Sequence, residues 1–176
     1  MSWPFDPTVY LGLAALLAGY LVLGRRTADS DGRSRRRSLF FVGGTLIVWL
    51  ALETPIDRVS DQYLQSVHMT QHVLIGFIAP PLFLLGLSSK MAQEMAQEMA
   101  QVLRRVPGVR QLTEPIPAQL IFGVVMLVWH VPALYDLTLR SEAIHVVEHL
   151  SFIVAGTLFW WPVITVTSQG ARHRLG

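Results

Sequence analysis

The sequence predicts an all-α, polytopic membrane helix bundle with about five transmembrane helices and a short amphipathic interfacial helix, in a single integral-membrane domain over residues 1–176. Three observations carry this. First, 52% of the 176 residues are hydrophobic and 15% are charged, and the apolar residues are bunched into runs rather than alternating with polar ones, as a water-facing surface would require. Second, the longer runs match the roughly 20 residues a helix needs to cross a bilayer core. Third, basic residues fall almost entirely into every second connection, as they do in membrane proteins with a defined orientation.

The apolar runs cover residues 9–23, 39–52, 64–87, 116–134 and 144–166. The last three are long enough to span. The first two are shorter and need flanking residues such as Pro7 or Pro55 to reach across. No basic residue precedes the first run and no small-residue cleavage site follows it before Arg25 and Arg26, so it is read as a retained span. Prolines fall within the later runs: Pro80 and Pro81 in the third, Pro132 in the fourth and Pro162 in the fifth. Each removes a backbone donor and is expected to bend its helix.

Of the fourteen basic residues, twelve lie after the first, third and fifth runs: Arg25, Arg26, Arg33, Arg35, Arg36, Arg37, Lys90, Arg104, Arg105, Arg110, Arg172 and Arg174. Only Arg58 and Arg140 lie in the alternate connections. The bias predicts an outside N-terminus and a cytoplasmic C-terminus. It also explains the arginine-rich segment 25–38 as a disordered loop drawn to anionic lipid rather than as a nucleic-acid-binding surface. Trp3, Tyr10, Trp49, Trp129 and Tyr135 are expected at the outer interface, with Trp160 and Trp161 near the inner one. The period-four stretch MAQEMAQEMAQVLRRV, residues 91–106, reads as the interfacial helix, with Met91, Met95 and Met99 toward lipid. A methionine relay for Cu(I) suits thioether chemistry, but this stretch would lie on the side away from the histidines.

Five of the six histidines fall at helix ends on the predicted outer side. His68 and His72 are four apart, as are His145 and His149, which puts each pair on one helix face one turn apart. His130 closes the fourth run. His173 reads as a solvated tail residue beside Arg172 and Arg174. Ionisable groups within membrane segments are costly and mark function, so convergence of the five imidazoles predicts a metal or haem site. The donor set suits copper, zinc or iron. Met69, three before His72, could add a thioether and favour Cu(I); Glu148 could orient an imidazole or ligate. The alternative is polar contact between helices. Asp57, Asp61, Asp136 and Glu142 could gather cations at the mouth of the site. There is no cysteine, which removes disulfides, zinc fingers and thiolate copper chemistry.

The motifs HMxQH with PPLxxLG (residues 68–86), WHxPALYD (129–136), HxxEHxxF (145–152) and GxxFWWP (156–162) resemble the multi-span cytochrome c oxidase assembly factor family, the CtaG family of caa-type oxidases. They cover roughly residues 63–90 and 116–165. The resemblance implies a bacterial plasma-membrane protein, not an enzyme, that delivers copper to a haem–copper oxidase subunit. His68, His72, His130, His145 and His149 would be its copper ligands. It also implies one or two spans more than the five runs seen here, a difference that leaves a homodimer open. Two other functions fit parts of the pattern. Bis-histidine ligation between helices would suit a b-type haem electron carrier. HxxEH also matches an inverted zinc-protease signature, but it sits at a membrane-helix end, where that chemistry lacks its cleft. The sequence holds no glycine-rich phosphate loop and no nucleophile elbow.

Overall fold

The computed structural model describes residues 7–27, 34–53, 65–103 and 114–173. It is 95% helical, with no strand among the described residues, as the composition predicts. The helices are α1 (Pro7–Thr27), α2 (Ser34–Glu53), α3 (Gln65–Val73), α4 (Ala79–Gly86), α5 (Ser89–Leu103), α6 (Pro115–Trp129), α7 (Pro132–Arg140) and α8 (Glu142–His173). A π-helical turn, Leu74–Ile78, joins α3 to α4. The chain falls into two compact units, residues 1–97 and 98–176, with the boundary inside α5.

In the first unit α2 runs antiparallel to the α3–π–α4 segment. Small residues allow this close approach. A Cβ on Gly44 would lie 2.9 Å from the Phe83 ring, and one on Gly86 would lie 2.7 Å from the Phe41 Cβ. Phe41, Val48, Ala79 and Phe83 form the core, and α1 adds Leu13, Leu16, Leu17 and Tyr20 against it. Tyr20 stacks on Phe41 with ring centroids 3.9 Å apart, and its hydroxyl donates to the Gly86 carbonyl at 3.1 Å. The other faces are apolar and exposed: Leu11 and Leu21 on α1, Leu39, Val42 and Leu46 on α2. This inversion of the soluble pattern is what a lipid-facing surface requires.

The π turn has a local cause. Pro80 and Pro81 supply no N–H, and a proline ring would clash with the carbonyl four residues back. The ladder widens in response: the Ala79 N–H bonds to the Leu74 carbonyl, five residues back. One extra residue per turn rotates the face carrying His68 and His72 relative to the face carrying Phe83. The bend expected at these prolines is thus expressed as a change of helical pitch, inside a segment that still qualifies as one span, Ser66–Gly86.

In the second unit α6 lies antiparallel to α8, with Phe122 against Phe159 (ring centroids 5.2 Å) and Trp129 against Ser151. The axis breaks by 70° between α6 and α7. Val131 precedes Pro132, a position where helical backbone is disfavoured, and its ψ is 125°. Pro132 then opens α7 at a position where its missing N–H costs nothing. Pro162 lies within α8, which continues past it.

Several expectations change. Among the described residues, three helices are long and apolar enough to cross a membrane, Pro7–Thr27, Ser66–Gly86 and Glu142–Ile164, and a fourth arises if the bent α6–α7 pair is one span. The second run is not among them, although it forms a 20-residue helix. Arg35, Arg36 and Arg37 near its start and Glu53 at its end leave an apolar stretch of about 22 Å, which keeps it out of this count by length and composition. Segment 25–38 is not one loop: Arg25 and Arg26 lie in the last turn of α1 and Arg35–Arg37 lie in α2. The tail expected after the fifth run continues as helix through His173, whose side chain lies outside the described residues. The helix expected at the interface starts at Ser89, capped by the Ser88 hydroxyl, which accepts from the Met91 N–H at 3.1 Å. Met91 is buried rather than facing lipid, and Met95 is half-buried. Trp3, Asp57 and Asp61 lie outside the described residues.

Adding a methyl at Gly86 meets the Phe41 Cβ and backbone, which have little room to move. Gly86→Ala should therefore destabilise the first unit by about 1–3 kcal/mol. Gly43→Ala, which meets nothing within 4 Å, should be neutral or slightly stabilising. Thermal unfolding of the two variants in detergent checks the contrast.

Candidate metal centre

The first unit carries a histidine pair on α3. His68 and His72 are 0% and 2% exposed, with ring centroids 4.2 Å apart and an interplanar angle of 67°. Four-residue spacing stacks them on one face, and the same face continues through the buried Ile75. Gln71 stands beside them, fully buried, its Nε2 donating to the Ala51 carbonyl at 3.1 Å. That bond ties the histidine-bearing turn of α3 to the C-terminal end of α2. Two residues beyond Ala51, at the last position of α2, Glu53 is also fully buried. Met69 is half-buried.

The second unit carries the other pair at the start of α8. His145 and His149 have ring centroids 4.2 Å apart at 53°. Glu148, fully buried, lies three residues from one and one from the other. One ligand atom from each of His145, Glu148 and His149 lies within 4.8 Å of the other two. A short relay holds this turn against α6: the Trp129 indole N–H donates to Ser151 Oγ at 2.7 Å, and the Ser151 hydroxyl donates to the Glu148 carbonyl at 2.6 Å. Trp129, expected at the membrane interface, thus spends its polar edge inside the unit. Exposed Glu142 in the first turn of α8 places negative charge at the positive end of the helix dipole. Asp136 on α7 is exposed as well.

His130 does not join the His145–Glu148–His149 group. It caps α6 at φ −86° and ψ 0°, is exposed, and holds its Nδ1 2.6 Å from the Met126 carbonyl. The break imposed by Val131–Pro132 turns this residue outward.

Two further polar residues of the first unit are buried, Gln71 next to His72 and Glu53 at the end of α2, and the sequence alone does not single them out. Gln71 carried a signal, since it lies one residue before His72 and three after His68, on the edge of the same face. Glu53 reads as a run boundary in sequence; only antiparallel packing of α2 shows that it is buried.

Each unit offers a pair of buried or half-buried imidazoles, the second with the buried Glu148 carboxylate beside them, and there is no thiolate in the whole sequence. Neutral imidazole binds first-row metals, and a carboxylate three or four residues along the helix can ligate or orient a ring. The profile described as cytochrome c oxidase caa3 assembly factor (Caa3_CtaG) matches residues 15–176. The chain belongs to this family. The family is described as one of assembly factors for a cytochrome c oxidase, in agreement with the motifs at residues 68–86, 129–136 and 145–162. Similar proteins include an uncharacterized protein of Mycobacterium bovis and one of Mycobacterium tuberculosis, each 25% identical over 184 residues. The alignments cover 93% of this chain and 26% of each relative, so the chain spans about a quarter of the length of the curated relatives it matches. No solved structure matches.

Trp129→Phe and Ser151→Ala should each lower stability by about 1 kcal/mol, the usual net worth of one hydrogen bond. Because both remove the same bond, the double variant should cost clearly less than the two losses added. A double-mutant cycle by detergent unfolding measures it.

Proposed function

We propose that this assembly factor binds copper through its buried histidines and passes it to a subunit of a haem–copper oxidase, without catalysing a reaction itself. The observation that supports this most directly is the His145–Glu148–His149 group, whose ligand atoms lie within 4.8 Å of one another on a largely buried turn. The buried pair His68 and His72 supplies a second set of imidazoles of the same spacing. Imidazole with at most a carboxylate or thioether is a donor set that copper accepts readily. A site walled by apolar helices excludes water that would compete for the ion. In each pair the rings stand too close for a porphyrin plane to lie between the pair's own two nitrogens, which favours a bare ion over haem.

Copper content of purified protein in detergent tests this. Wild type should retain copper through dialysis. His72→Ala and His149→Ala should each weaken retention by more than the roughly 10–100-fold that loss of a mere outer partner costs. Equal copper in all three proteins would reject the proposal.

The location proposed is a bacterial plasma membrane, with the histidine-bearing helix ends on the outer side and the basic segments in the cytoplasm. The chain has no cysteine, so single introduced cysteines report orientation cleanly. A membrane-impermeant maleimide should label Asp136→Cys in intact cells and label Lys90→Cys only after the cells are opened; both positions are exposed. The reverse pattern would overturn the orientation.

A further inference from the structure

At one end of the first unit three helix ends meet on Tyr20, about two turns before the end of α1. Its hydroxyl donates to the carbonyl of Gly86, the last residue of α4, at 3.1 Å, and lies 3.4 Å from Ser38 Oγ near the start of α2. Every described lysine and arginine of the unit is at this end: Arg25 and Arg26 close α1, Arg35–Arg37 open α2, and Lys90 lies in the first turn of α5. Lys90 follows Gly86 by four residues, so chain length alone keeps it within about 14 Å of the contact. Arg25, Arg35, Arg36 and Lys90 are exposed. Two features go beyond charge that merely orients the chain. Arg35–Arg37 and Lys90 occupy first turns, where the helix dipole is positive and disfavours cations, and neither first turn holds an acidic residue. An anion from outside would relieve both helices. Apolar surface also begins directly beside the charge. Exposed Leu21 is four residues before Arg25 and exposed Leu39 four after Arg35, so each pair shares a helix face. The Arg36 guanidinium stands 5.6 Å over the Phe40 ring, which draws its charge toward the edge of that apolar surface.

We propose that this end of the first unit is a binding site for an anionic phospholipid with two linked phosphates, the chemistry of cardiolipin. Cations set beside exposed hydrocarbon match an amphiphile, a headgroup with its chains, rather than a soluble anion. Guanidinium groups donate to phosphate in pairs of hydrogen bonds, and an ammonium adds a point charge. The cations come from three separate helix ends, so one phosphate leaves some of them unneutralised. Two phosphates in one molecule engage cations of different elements as a single intramolecular event, which raises affinity over two separate lipids. Such a lipid would clip α1, α2 and the α4–α5 corner together at the level of Tyr20. No histidine takes part, so the site stands independently of the copper reading.

Lipid retention by the full chain in detergent, read by native mass spectrometry, tests this with cardiolipin, phosphatidylglycerol at matched phosphate concentration, and phosphatidylcholine. Wild type should hold cardiolipin about tenfold more tightly than phosphatidylglycerol, or better, and phosphatidylcholine least. One cation near an anionic lipid surface is worth roughly fivefold in affinity, so Lys90→Gln should weaken cardiolipin retention about fivefold and the double variant Arg35→Gln/Arg36→Gln about 25-fold. Arg140→Gln, exposed at the end of α7 in the other unit, should change nothing. Because all the replaced side chains are exposed, lipid-free melting should match wild type in every variant, which separates lost binding from lost fold. Equal retention of cardiolipin and phosphatidylglycerol overturns the proposal in favour of an ordinary charged membrane surface. A loss in the arginine variant with none in Lys90→Gln overturns the shared site. A loss in Arg140→Gln as large as in Lys90→Gln does the same, by making any exposed cation equivalent.

Discussion

Burying ionisable side chains among apolar helices is costly unless those groups are paired, hydrogen-bonded or put to use, and this constraint organises much of what the structure shows. His68, His72, Glu53 and Glu148 are almost fully covered in a chain whose other surfaces are dominated by exposed leucine, valine and isoleucine. A fold selected for stability alone would place apolar residues of similar volume at these positions. Their retention turns the helix ends into the most chemically specialised parts of the molecule. The surrounding structure is arranged to hold them. Gln71 ties one histidine turn to α2, and the Trp129–Ser151 relay ties the other to α6.

Proline shapes both units by a single mechanism with different outcomes. In the first, Pro80 and Pro81 fall where helix precedes and follows, and the ladder accommodates them by widening into a π turn. In the second, Pro132 follows a residue already driven to extended backbone, so the helix stops and restarts at 70°. The first keeps a continuous span below a buried histidine pair. The second exposes a histidine at a corner. Pro162 shows that the residue alone does not dictate a break, since α8 continues past it.

Membership of the caa3 assembly factor family gives these arrangements a setting. The family's role is assembly of a cytochrome c oxidase, and the buried histidine turns are the parts of this chain whose chemistry packing alone does not call for. The alignment covers only 26% of each mycobacterial relative, so the stretch similar to this chain is one part of those longer proteins.

The helical class, the approximate positions of the longer spans and the histidine pairs were all legible in the sequence, because each depends on local periodicity. Apolar runs of about 20 residues leave the backbone no satisfied conformation but helix in lipid, and a spacing of four fixes two rings on one face whatever surrounds them. Glu148 was legible for the same reason, lying within one turn of both His145 and His149. The number of spans was not, since it turns on whether Arg35–Arg37 and Glu53 belong to a helix or to its flanks. The tertiary structure alone decided the rest. It buried Glu53 and Gln71, bonded Trp129 inward to Ser151, covered Met91 and turned His130 outward. These outcomes depend on contacts between segments far apart in the chain and on where a proline allows the axis to turn, quantities that no local pattern of residues encodes.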